Sequence, residues 1–357
     1  MERRNVTRKE VAMKAGVSVS VVSRALNNSG YVAEDKKRKI IKLAEELGYY
    51  PNPVAMSLQQ QRTKQILFYC KDIMNVYNIE LYGGMVKEAK KRGYMVMINA
   101  GYDFNNIRTT MIDGVILPNE HLAAFYAQKI GIKYHLPVVS ASYSGYVNFR
   151  KSIPIVDVDI YKVVHTAIDY LKKNGHKKIA LAVPYAYDSN QSRILAWRGE
   201  MAPVLGKDIK KYFIYAGKNT ASADLAGSPK ENVEESLFTE ENFLEEGKYA
   251  AQVYLEQKSD ATAILCFNDE FALGMMNELL NRGVKIPEDI SLIGIDGIST
   301  RNYVRPVLTS VSLFPEKQGA KCAEILMDMI EGKKIKYVSH SHIKLIPGET
   351  VRKIGKS

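Results

Sequence analysis

The sequence predicts a small all-helical head followed by a larger α/β core built from two similar lobes. The first 50 residues contain several closely spaced signals for the start and end of a helix, whereas short apolar runs alternate with helical segments from Gln65 onward. That alternation occurs twice in succession. Strands separated by helices of about 10–15 residues form parallel sheets with helices on both faces, which accounts for two α/β lobes.

Two short helices joined by a glycine are predicted at the start of the head. Thr7 and Glu10 form a capping box, in which each side chain satisfies a free amide at the beginning of a helix. Gly16 ends this helix, because the tight turn needs a backbone conformation that only glycine adopts cheaply. Ser18 then caps a second helix, which directs Val22 inward.

The outward face of the second helix and the charge of the head both favour binding to DNA. The outward positions are Val19, Ser20, Ser23 and Arg24. Two helices joined in this way form a helix-turn-helix, whose second helix enters the major groove; an ordinary helical hairpin is the alternative. Residues 1–64 hold 13 Lys/Arg and 6 Asp/Glu, a net of +7 out of the chain's +11, which suits phosphate neutralisation.

A short helix is predicted after the third helix of the head, which spans Glu34 to Leu47. Asn52 suits an N-cap, and Pro53 suits the first position of a helix that runs to about Gln60. Isolated helices need roughly 12–15 residues, so this one forms only when it packs against something. Leu58 is suited to insert into a minor-groove base step, and a plain interdomain linker is the alternative.

The head and the short helix resemble those of the lac repressor family (LacI/GalR). Val11 to Asn27 is similar to the family pattern V-A-x-x-A-G-V-S-x-x-T-V-S-R-x-L-N, and Gly48 to Leu58 is similar to G-Y-x-P-N-x-x-A-x-S-L. Three positions depart from the family. Val21 replaces a threonine that contacts phosphate, Met56 replaces an arginine found in many members, and Ala33 replaces a serine that caps the third helix.

The helix-turn-helix and the resemblance together assign roles to the residues that contact DNA. Arg24 is expected to recognise a guanine, because arginine pairs with both O6 and N7, and Val19 and Ser20 are expected to contact neighbouring base edges. The residues expected to hold phosphates are Thr7, Ser18, Ser23 and Asn27. The residues expected to act in the hinge helix are Asn52, Val54, Ala55 and Leu58.

Two series of strands and helices make up the predicted core. The first contains the strands Ile66–Cys70, Met95–Ile98, Gly114–Leu117, Pro137–Val139 and Ile153–Val156 and the helix Glu80–Arg92. The second contains the strands Lys178–Val183, Phe213–Tyr215, Thr262–Phe267 and Ser291–Ile295 and the helices Lys162–Lys173, Glu246–Gln257 and Asp269–Arg282. Such lobes bind ligands in the crevice outside the carboxyl ends of their strands.

The core resembles the periplasmic-binding-protein-like effector domain of the same family, which has two Rossmann-like lobes. The matching stretches are Asn174–Ala180, Thr262–Gly274, Pro287–Asp296 and Leu308–Val311. The resemblance implies a DNA-binding domain at 1–50, a hinge helix and linker at 51–64, and an effector-binding and dimerisation core at 65–357. It also implies a lobe near DNA, 65–161 and 315–341, and a distal lobe, 162–314 and 342–357.

The resemblance assigns the effector site to the crevice between the lobes. Arg193 matches an arginine that clamps ligand oxygens, Asp296 matches an aspartate that accepts from ligand hydroxyls, and Asn268 matches a further contact. Further candidates are Asp72, Tyr77 and Trp197 as wall residues, and Ser142 where some sugar-binding members have aspartate. Three alternatives stand beside these roles: Trp197 as lobe core, Asp72 as a helix cap, and Asp269 as the N-cap of the helix that follows it.

Composition indicates a globular protein without a cofactor or metal site. It is 46% hydrophobic and 25% charged, and no apolar run approaches the roughly 20 residues that span a bilayer. No secretory signal follows Met1, and Cys70, Cys266 and Cys322 lack metal-ligand spacing, so we expect buried thiols in a cytoplasmic protein. No Walker A loop, dinucleotide fingerprint or nucleophile elbow occurs, which disfavours an enzyme.

The sequence and the resemblance therefore predict a transcription regulator that acts as a homodimer on a pseudo-palindromic DNA operator, and we expect it to be a repressor. Its effector is expected to be a sugar or sugar derivative bound between the lobes. A solute-binding protein or a sugar-modifying enzyme on the same core is the alternative. The polar segment 218–240 is interpreted as a surface loop, with a lid over the crevice as the alternative.

Overall fold

The computed structural model describes residues 6–50, 57, 61–70, 73–101, 104, 107, 109–131, 136–143, 153–217 and 242–355. The chain divides into two compact units, Met1–Thr63 and Lys64–Ser357. The first unit contains the helical head, and the second contains two lobes, each built on a largely parallel sheet. The predicted combination of an all-helical head and a two-lobed α/β core is confirmed.

Three helices form the head: α1 (Arg8–Ala15), α2 (Val19–Asn27) and α3 (Glu34–Glu46). The predicted caps of the first two are present. The Thr7 amide donates to Glu10 Oε2 at 2.7 Å, Gly16 ends α1 in the left-handed conformation, and the Val21 amide donates to Ser18 Oγ at 3.4 Å. Six buried side chains make the small core of the head: Val11, Ala12, Val22, Ala25, Ile40 and Ala44.

The first lobe is built on a sheet with the strand order β11-β5-β4-β3-β1-β2. Its strands are β1 (Gln65–Tyr69), β2 (Met95–Asn99), β3 (Gly114–Leu117), β4 (Val138–Ser142), β5 (Ile155–Asp157) and β11 (Val338–His340). All neighbouring strands are parallel. Its helices are α4 (Val76–Lys90), α5 (Glu120–Lys129) and α10 (Pro315–Ile330).

The second lobe repeats this plan with the strand order β12-β10-β9-β8-β6-β7. Its strands are β6 (Ile179–Val183), β7 (Phe213–Tyr215), β8 (Ala263–Cys266), β9 (Ser291–Asp296), β10 (Thr309–Ser312) and β12 (Lys344–Ile346), and only the β10–β12 pair is antiparallel. Its helices are α6 (Ile160–Lys173), α7 (Ser192–Leu205), α8 (Phe243–Gln257) and α9 (Asp269–Asn281). The chain passes between the two sheets three times, after β5, β10 and β11.

Two helices begin three or more residues earlier than the sequence predicts. Helix α4 begins at Val76 rather than Glu80, and α8 begins at Phe243 rather than Glu246. In each case an asparagine before the helix accepts a backbone hydrogen bond and fixes the start: Asn75 from the Asn78 amide at 3.3 Å, and Asn242 from the Glu245 amide at 3.1 Å. An asparagine directly before an apolar residue is a recognised signal for the start of a helix, so both starts could have been predicted from the sequence.

Helices α4 and α10 of the first lobe cross at two glycines. A Cβ on Gly84 would stand 1.9 Å from the backbone oxygen of Glu316, and a Cβ on Gly319 would stand 1.9 Å from that of Leu81. Only the absence of side chains allows the backbones to approach so closely. This contact sets the position of the amino-terminal ends of both helices, which border the crevice.

The three cysteines, Cys70, Cys266 and Cys322, are buried and free, as expected. Across the described ranges, no helix combines the length and the apolar character that crossing a bilayer requires.

Candidate functional site

The outward face of α2 is exposed on the head, as the sequence predicts. Val19 is 41% exposed, and Ser20 and Arg24 are exposed beside it, while Val22 and Ala25 are buried. The Arg24 Nε donates to the Ser20 backbone oxygen at 3.4 Å, so the side chain lies along its own helix. A long bond of this kind on an exposed side chain is easily exchanged for one to another acceptor.

The expected phosphate contacts already serve as local caps and links. Thr7 and Ser18 cap their helices, Ser18 and Ser20 hydroxyls lie 2.8 Å apart, and Asn27 Nδ2 donates to Ser23 Oγ at 3.3 Å. All these groups lie on the head, and Thr7, Ser18 and Asn27 are exposed.

Several predicted positions lie outside the described residues. They are the hinge residues Asn52, Val54, Ala55 and Leu58, the departure at Met56, the crevice candidate Asp72, and the whole segment 218–240.

Arg193 lies at the start of α7 with its guanidinium stacked on an aromatic ring. Its Cζ is 4.4 Å from the centroid of the Phe267 ring, which follows β8. The side chain is only 8% exposed, and its Nε is buried with no hydrogen-bond partner within the described part of the chain. A buried donor without a partner is costly, so this arginine is prepared for an acceptor that the chain itself does not supply.

Asp296 ends β9, and its carboxylate, like the Arg193 guanidinium, has hydrogen-bonding capacity that the described residues leave unused. It is 7% exposed, and no residue of the described ranges donates a hydrogen bond to its carboxylate. Its backbone has a φ of 121°, a conformation that non-glycine residues rarely adopt. Burial and the neighbouring Asp269 raise the pKa of Asp296 well above the ordinary range, and the Arg193 guanidinium opposes that rise.

Asp269 holds the backbone that presents Asp296, and its predicted role as the N-cap of α9 is wrong. The cap is Asn268, whose Oδ1 accepts from the Phe271 amide at 2.8 Å. Asp269 is fully buried and accepts from the amides of Gly297 at 2.7 Å and Ile298 at 3.0 Å. The Ser310 hydroxyl donates to its other oxygen at 2.6 Å. Burial raises the pKa of Asp269, and these hydrogen bonds oppose that rise.

On the first lobe, Tyr77 and Tyr143 converge on Gln318. The two hydroxyls donate to Gln318 Oε1 at 2.6 and 3.3 Å, and the rings meet edge to face with centroids 5.6 Å apart. Burial raises the pKa of both tyrosines, and the charge of Asp296 in the other lobe adds to both rises. Tyr77 and Tyr143 of the first lobe are therefore within electrostatic reach of Asp296 of the second. Neither Tyr143 nor Gln318 belongs to a motif, so neither could be recognised as a candidate from the sequence.

Ser142 lies at the end of β4 and donates to Asp157 Oδ1 at 2.7 Å; both residues are buried. The two are register partners at the carboxyl ends of neighbouring strands, which the sequence did not show. Burial raises the pKa of Asp157, and the Ser142 hydroxyl opposes that rise. A carboxylate on β5 thus stands beside the position where some members have one on β4.

Trp197 is not a wall residue of the crevice. It is fully buried, its Nε1 donates to the Ile179 backbone oxygen at 3.1 Å, and its ring lies 6.1 Å from that of Phe213. The core interpretation is therefore correct for this tryptophan, because its only polar atom is already bonded within the second lobe. Tyr77, Arg193, Asn268 and Asp296 stay predicted contacts for the effector.

Two glutamates link the lobes at the mouth of the crevice. Glu270 of α9 accepts from the Val76 amide and from Asn75 Nδ2, both at 2.9 Å. Glu80 of α4 accepts from the Ser299 amide at 2.7 Å. Neither glutamate stands out in the sequence, since each depends on a partner in the other lobe.

Comparison with known proteins identifies two families along the chain. Residues 7–52 match "Bacterial regulatory proteins, lacI family", and residues 168–351, more than half of the chain, match "Periplasmic binding protein-like domain". The chain is 27% identical over 362 residues to the HTH-type transcriptional repressor PurR of Vibrio atlanticus, which covers 97% of this chain and 98% of the relative.

Two solved structures share the fold. The lac repressor dimer bound to operator and the anti-inducer ONPF has a TM-score of 0.74 at 19% identity, over 98% of this chain and 100% of that one. The complex of the transcriptional regulator CelR with cellobiose has a TM-score of 0.62 at 20% identity, over 97% of this chain and 100% of that one. The helical head, the two-lobed core and these matches lead to one conclusion: the chain belongs to the lacI family of bacterial regulatory proteins and is a DNA-binding transcriptional regulator rather than an enzyme.

Proposed function

We propose that this protein is a homodimeric repressor that binds a pseudo-palindromic operator in the cytoplasm and is controlled by a carbohydrate bound between its lobes. The part of this proposal that concerns the effector rests on the pair Arg193 and Asp296. Both side chains are more than nine-tenths buried, they have opposite charge, and their hydrogen-bonding capacity is incomplete within the described residues.

A carbohydrate fits the chemistry of this pair. A sugar hydroxyl can donate to the Asp296 carboxylate, while another hydroxyl or the ring oxygen accepts from the Arg193 guanidinium. The rings of Tyr77, Tyr143 and Phe267 provide apolar surface against which the faces of a sugar can pack. Of the other candidates we propose Asp72, Ser142 and Asn268 as further contacts. The solved CelR complex, which contains cellobiose, supports this ligand class.

We assign operator binding to residues 1–50, coupling to 51–64, and effector binding and dimerisation to 65–357. Arg24 recognises a guanine, and Val19 and Ser20 contact adjacent base edges. The phosphate contacts are Thr7, Ser18, Ser23 and Asn27. In the coupling segment, Asn52 caps a hinge helix that places Val54, Ala55 and Leu58 at the minor groove. The lac repressor dimer, which was solved on its operator, supports this assignment.

An apolar surface on the first lobe supports dimerisation. Ile79 and Val86 are seven residues apart on α4, hence on one face, and are 47% and 36% exposed. Ile98 of the edge strand β2, which packs beside α4, is 36% exposed and shares the sheet face of Val96, which packs with the core residues of α4. Exposed apolar side chains grouped in this way are typical of a protein–protein contact, and a second copy of the chain places two heads on two half-sites.

Selection of operator DNA followed by ligand titration tests the proposal. A random duplex library is enriched on the wild-type protein, and the selected operator is then titrated in the presence of cellobiose and a panel of mono- and disaccharides. We expect one sugar to shift the operator affinity and to raise the melting temperature by mass action. Arg193→Ala should abolish both responses and leave the sugar-free operator affinity unchanged.

Arg198→Ala is the matched control, because Arg198 lies on the same helix and also stacks on an aromatic ring, that of Tyr187, at 4.9 Å. A full sugar response in Arg193→Ala would move the effector site elsewhere. Failure of the wild type to enrich any duplex would refute the operator-binding half.

A further inference from the structure

The two lobes are joined by a reciprocal pair of contacts, each made by a glutamate on one lobe and the start of a helix on the other. Glu270 of the second lobe accepts from the Val76 amide, the first of α4, and from Asn75 Nδ2. Glu80 of the first lobe accepts from the Ser299 amide at the start of the 3-10 helix Ser299–Asn302. Both carboxylates therefore bind where free amides and the helix dipole favour negative charge.

The contact at Glu270 is fixed in orientation by its partner. Asn75 Oδ1 accepts from the Asn78 amide at 3.3 Å, so the Nδ2 group of the same side chain must point away from α4. That group donates to Glu270 Oε2, while Oε1 accepts from Val76. Both oxygens of Glu270 therefore accept from groups that can only donate in this arrangement. A side chain that carries a donor in place of either oxygen cannot satisfy the contact.

The contacts also stand close to the effector crevice. The negative charges of both Glu270 and Glu80 contribute to the raised pKa of Asp296. The Asp296 carboxylate is therefore within electrostatic reach of both glutamates when the lobes are in this arrangement. A ligand that donates hydrogen bonds to Asp296 favours its charged form and strengthens its repulsion with the two glutamates, which connects the crevice electrostatically to the contacts between the lobes.

We propose that Glu80 and Glu270 form an interlobe lock that holds the two lobes at the angle of this structure, and that release of the lock changes the affinity for the operator. The second half rests on the proposed function, since it requires that the lobe angle is coupled to the head. The first half depends on the core alone.

Interlobe distance measurement tests the first half directly. Cysteines introduced at the exposed Gln128 and Lys285 carry spin labels on the first and second lobes, and the three native cysteines are buried. The full-length labelled protein is diluted into excess unlabelled protein, so that pairs within one chain dominate the signal. Glu270→Gln keeps the size of the side chain but brings an NH₂ group against either Asn75 Nδ2 or the Val76 amide, and Glu80→Ala removes the second contact.

Two matched controls keep a glutamate change within each helix but outside the lock. Glu88→Gln on α4 removes the charge from the pair with Lys91 at 2.6 Å, and Glu278→Gln on α9 removes it from the pair with Arg282 at 2.8 Å; neither glutamate takes part in the two contacts between the lobes. We expect the mean interlobe distance to shift by more than about 2 Å in the Glu80→Ala, Glu270→Gln double variant and to stay unchanged in both controls. An unchanged distance in the double variant overturns the lock.

Operator affinity, measured without sugar on the selected duplex, tests the second half. We expect it to change by at least about fivefold in the double variant and to remain at the wild-type value in both controls. A shifted distance with unchanged affinity overturns the regulatory role and leaves the proposed repressor function intact. If the wild type binds no duplex at all, the proposed function fails, and the distance measurement alone decides the lock.

Discussion

Asp269 accepts a hydrogen bond from the amide of Gly297 at 2.7 Å and in this way holds the backbone next to Asp296. The same carboxylate accepts from Ile298 and Ser310, so one buried side chain fixes the end of β9 and ties it to β10. The carboxyl end of β9 is where the effector-facing aspartate emerges. A residue without access to the crevice thereby determines the direction in which the crevice residue points.

Asp269→Ala should destabilise the core strongly. It leaves the Ile298 amide and the Ser310 hydroxyl without their acceptor, while the Gly297 amide keeps its bond to Ser310 Oγ at 3.0 Å, and each buried unsatisfied donor costs about 1–3 kcal/mol. We expect a loss of at least about 2 kcal/mol in the free energy of unfolding, measured by urea denaturation. Asp188→Ala, at an exposed position, serves as control; equal losses for the two would show that the buried carboxylate has no special role.

Asp296→Asn should stabilise the protein at high pH. Because the pKa of Asp296 is raised in the folded state, folding favours the protonated form, and stability from this group falls as pH rises above the ordinary carboxyl range. Asparagine carries no charge and, like aspartate, is among the non-glycine residues found most often at positive φ. We expect the variant to exceed the wild type in melting temperature at pH 8, and the difference to shrink as pH falls toward 4. A constant difference across this range would contradict the buried-charge account.

Adjacent glycines on α4 should respond oppositely to alanine. In Gly84→Ala the new Cβ meets the Glu316 backbone 1.9 Å away, so we expect a loss of about 1–3 kcal/mol or more as α4 and α10 separate. Gly83 has no atom within 4 Å of its would-be Cβ, and Gly83→Ala should stabilise by about 0.5–1 kcal/mol through helix propensity. Calorimetry of both variants checks the prediction, which a similar sign for the two would contradict.

Arg24→Ala should relax sequence preference on DNA. Loss of one bidentate guanine contact costs about 1–3 kcal/mol on the preferred operator and nearly nothing on a duplex substituted at that base pair. Lys14→Ala, on α1 of the same head, removes an equal charge as a control. Binding is measured at one fixed salt concentration. If the two variants lose affinity equally on both duplexes, Arg24 acts only on phosphate.

Ala33→Ser should strengthen the start of α3. Ala33 occupies the N-cap and makes no side-chain hydrogen bond there, and only Glu34 and Asp35 in the first turn offset this through the helix dipole. A serine cap adds about 1 kcal/mol by accepting from the Asp35 or Lys36 amide. Hydrogen exchange on the full-length chain should therefore slow at those amides while staying unchanged at the start of α2. Unaltered exchange at Asp35 and Lys36 would show that the cap does not form.

Secondary-structure elements that depend on interactions between neighbouring residues can be predicted from the amino-acid sequence. Thr7, Gly16 and Ser18 fix the first two helices through bonds within four residues, so their pattern was readable without a structure. The alternation of apolar runs and helices likewise determined two parallel-sheet lobes, because burial on both faces of a sheet imposes that pattern.

Which polar groups form hydrogen bonds with one another depends on the tertiary structure and cannot be derived from neighbouring residues. Asp269 looked like a helix cap and instead accepts from residues 28 and more positions away, while Trp197 proved to be core because Ile179 supplies its acceptor. Tyr143, Gln318 and the glutamates between the lobes have no local signature. Their partners lie on other strands and in the other lobe, and only chain crossings bring them within hydrogen-bonding distance.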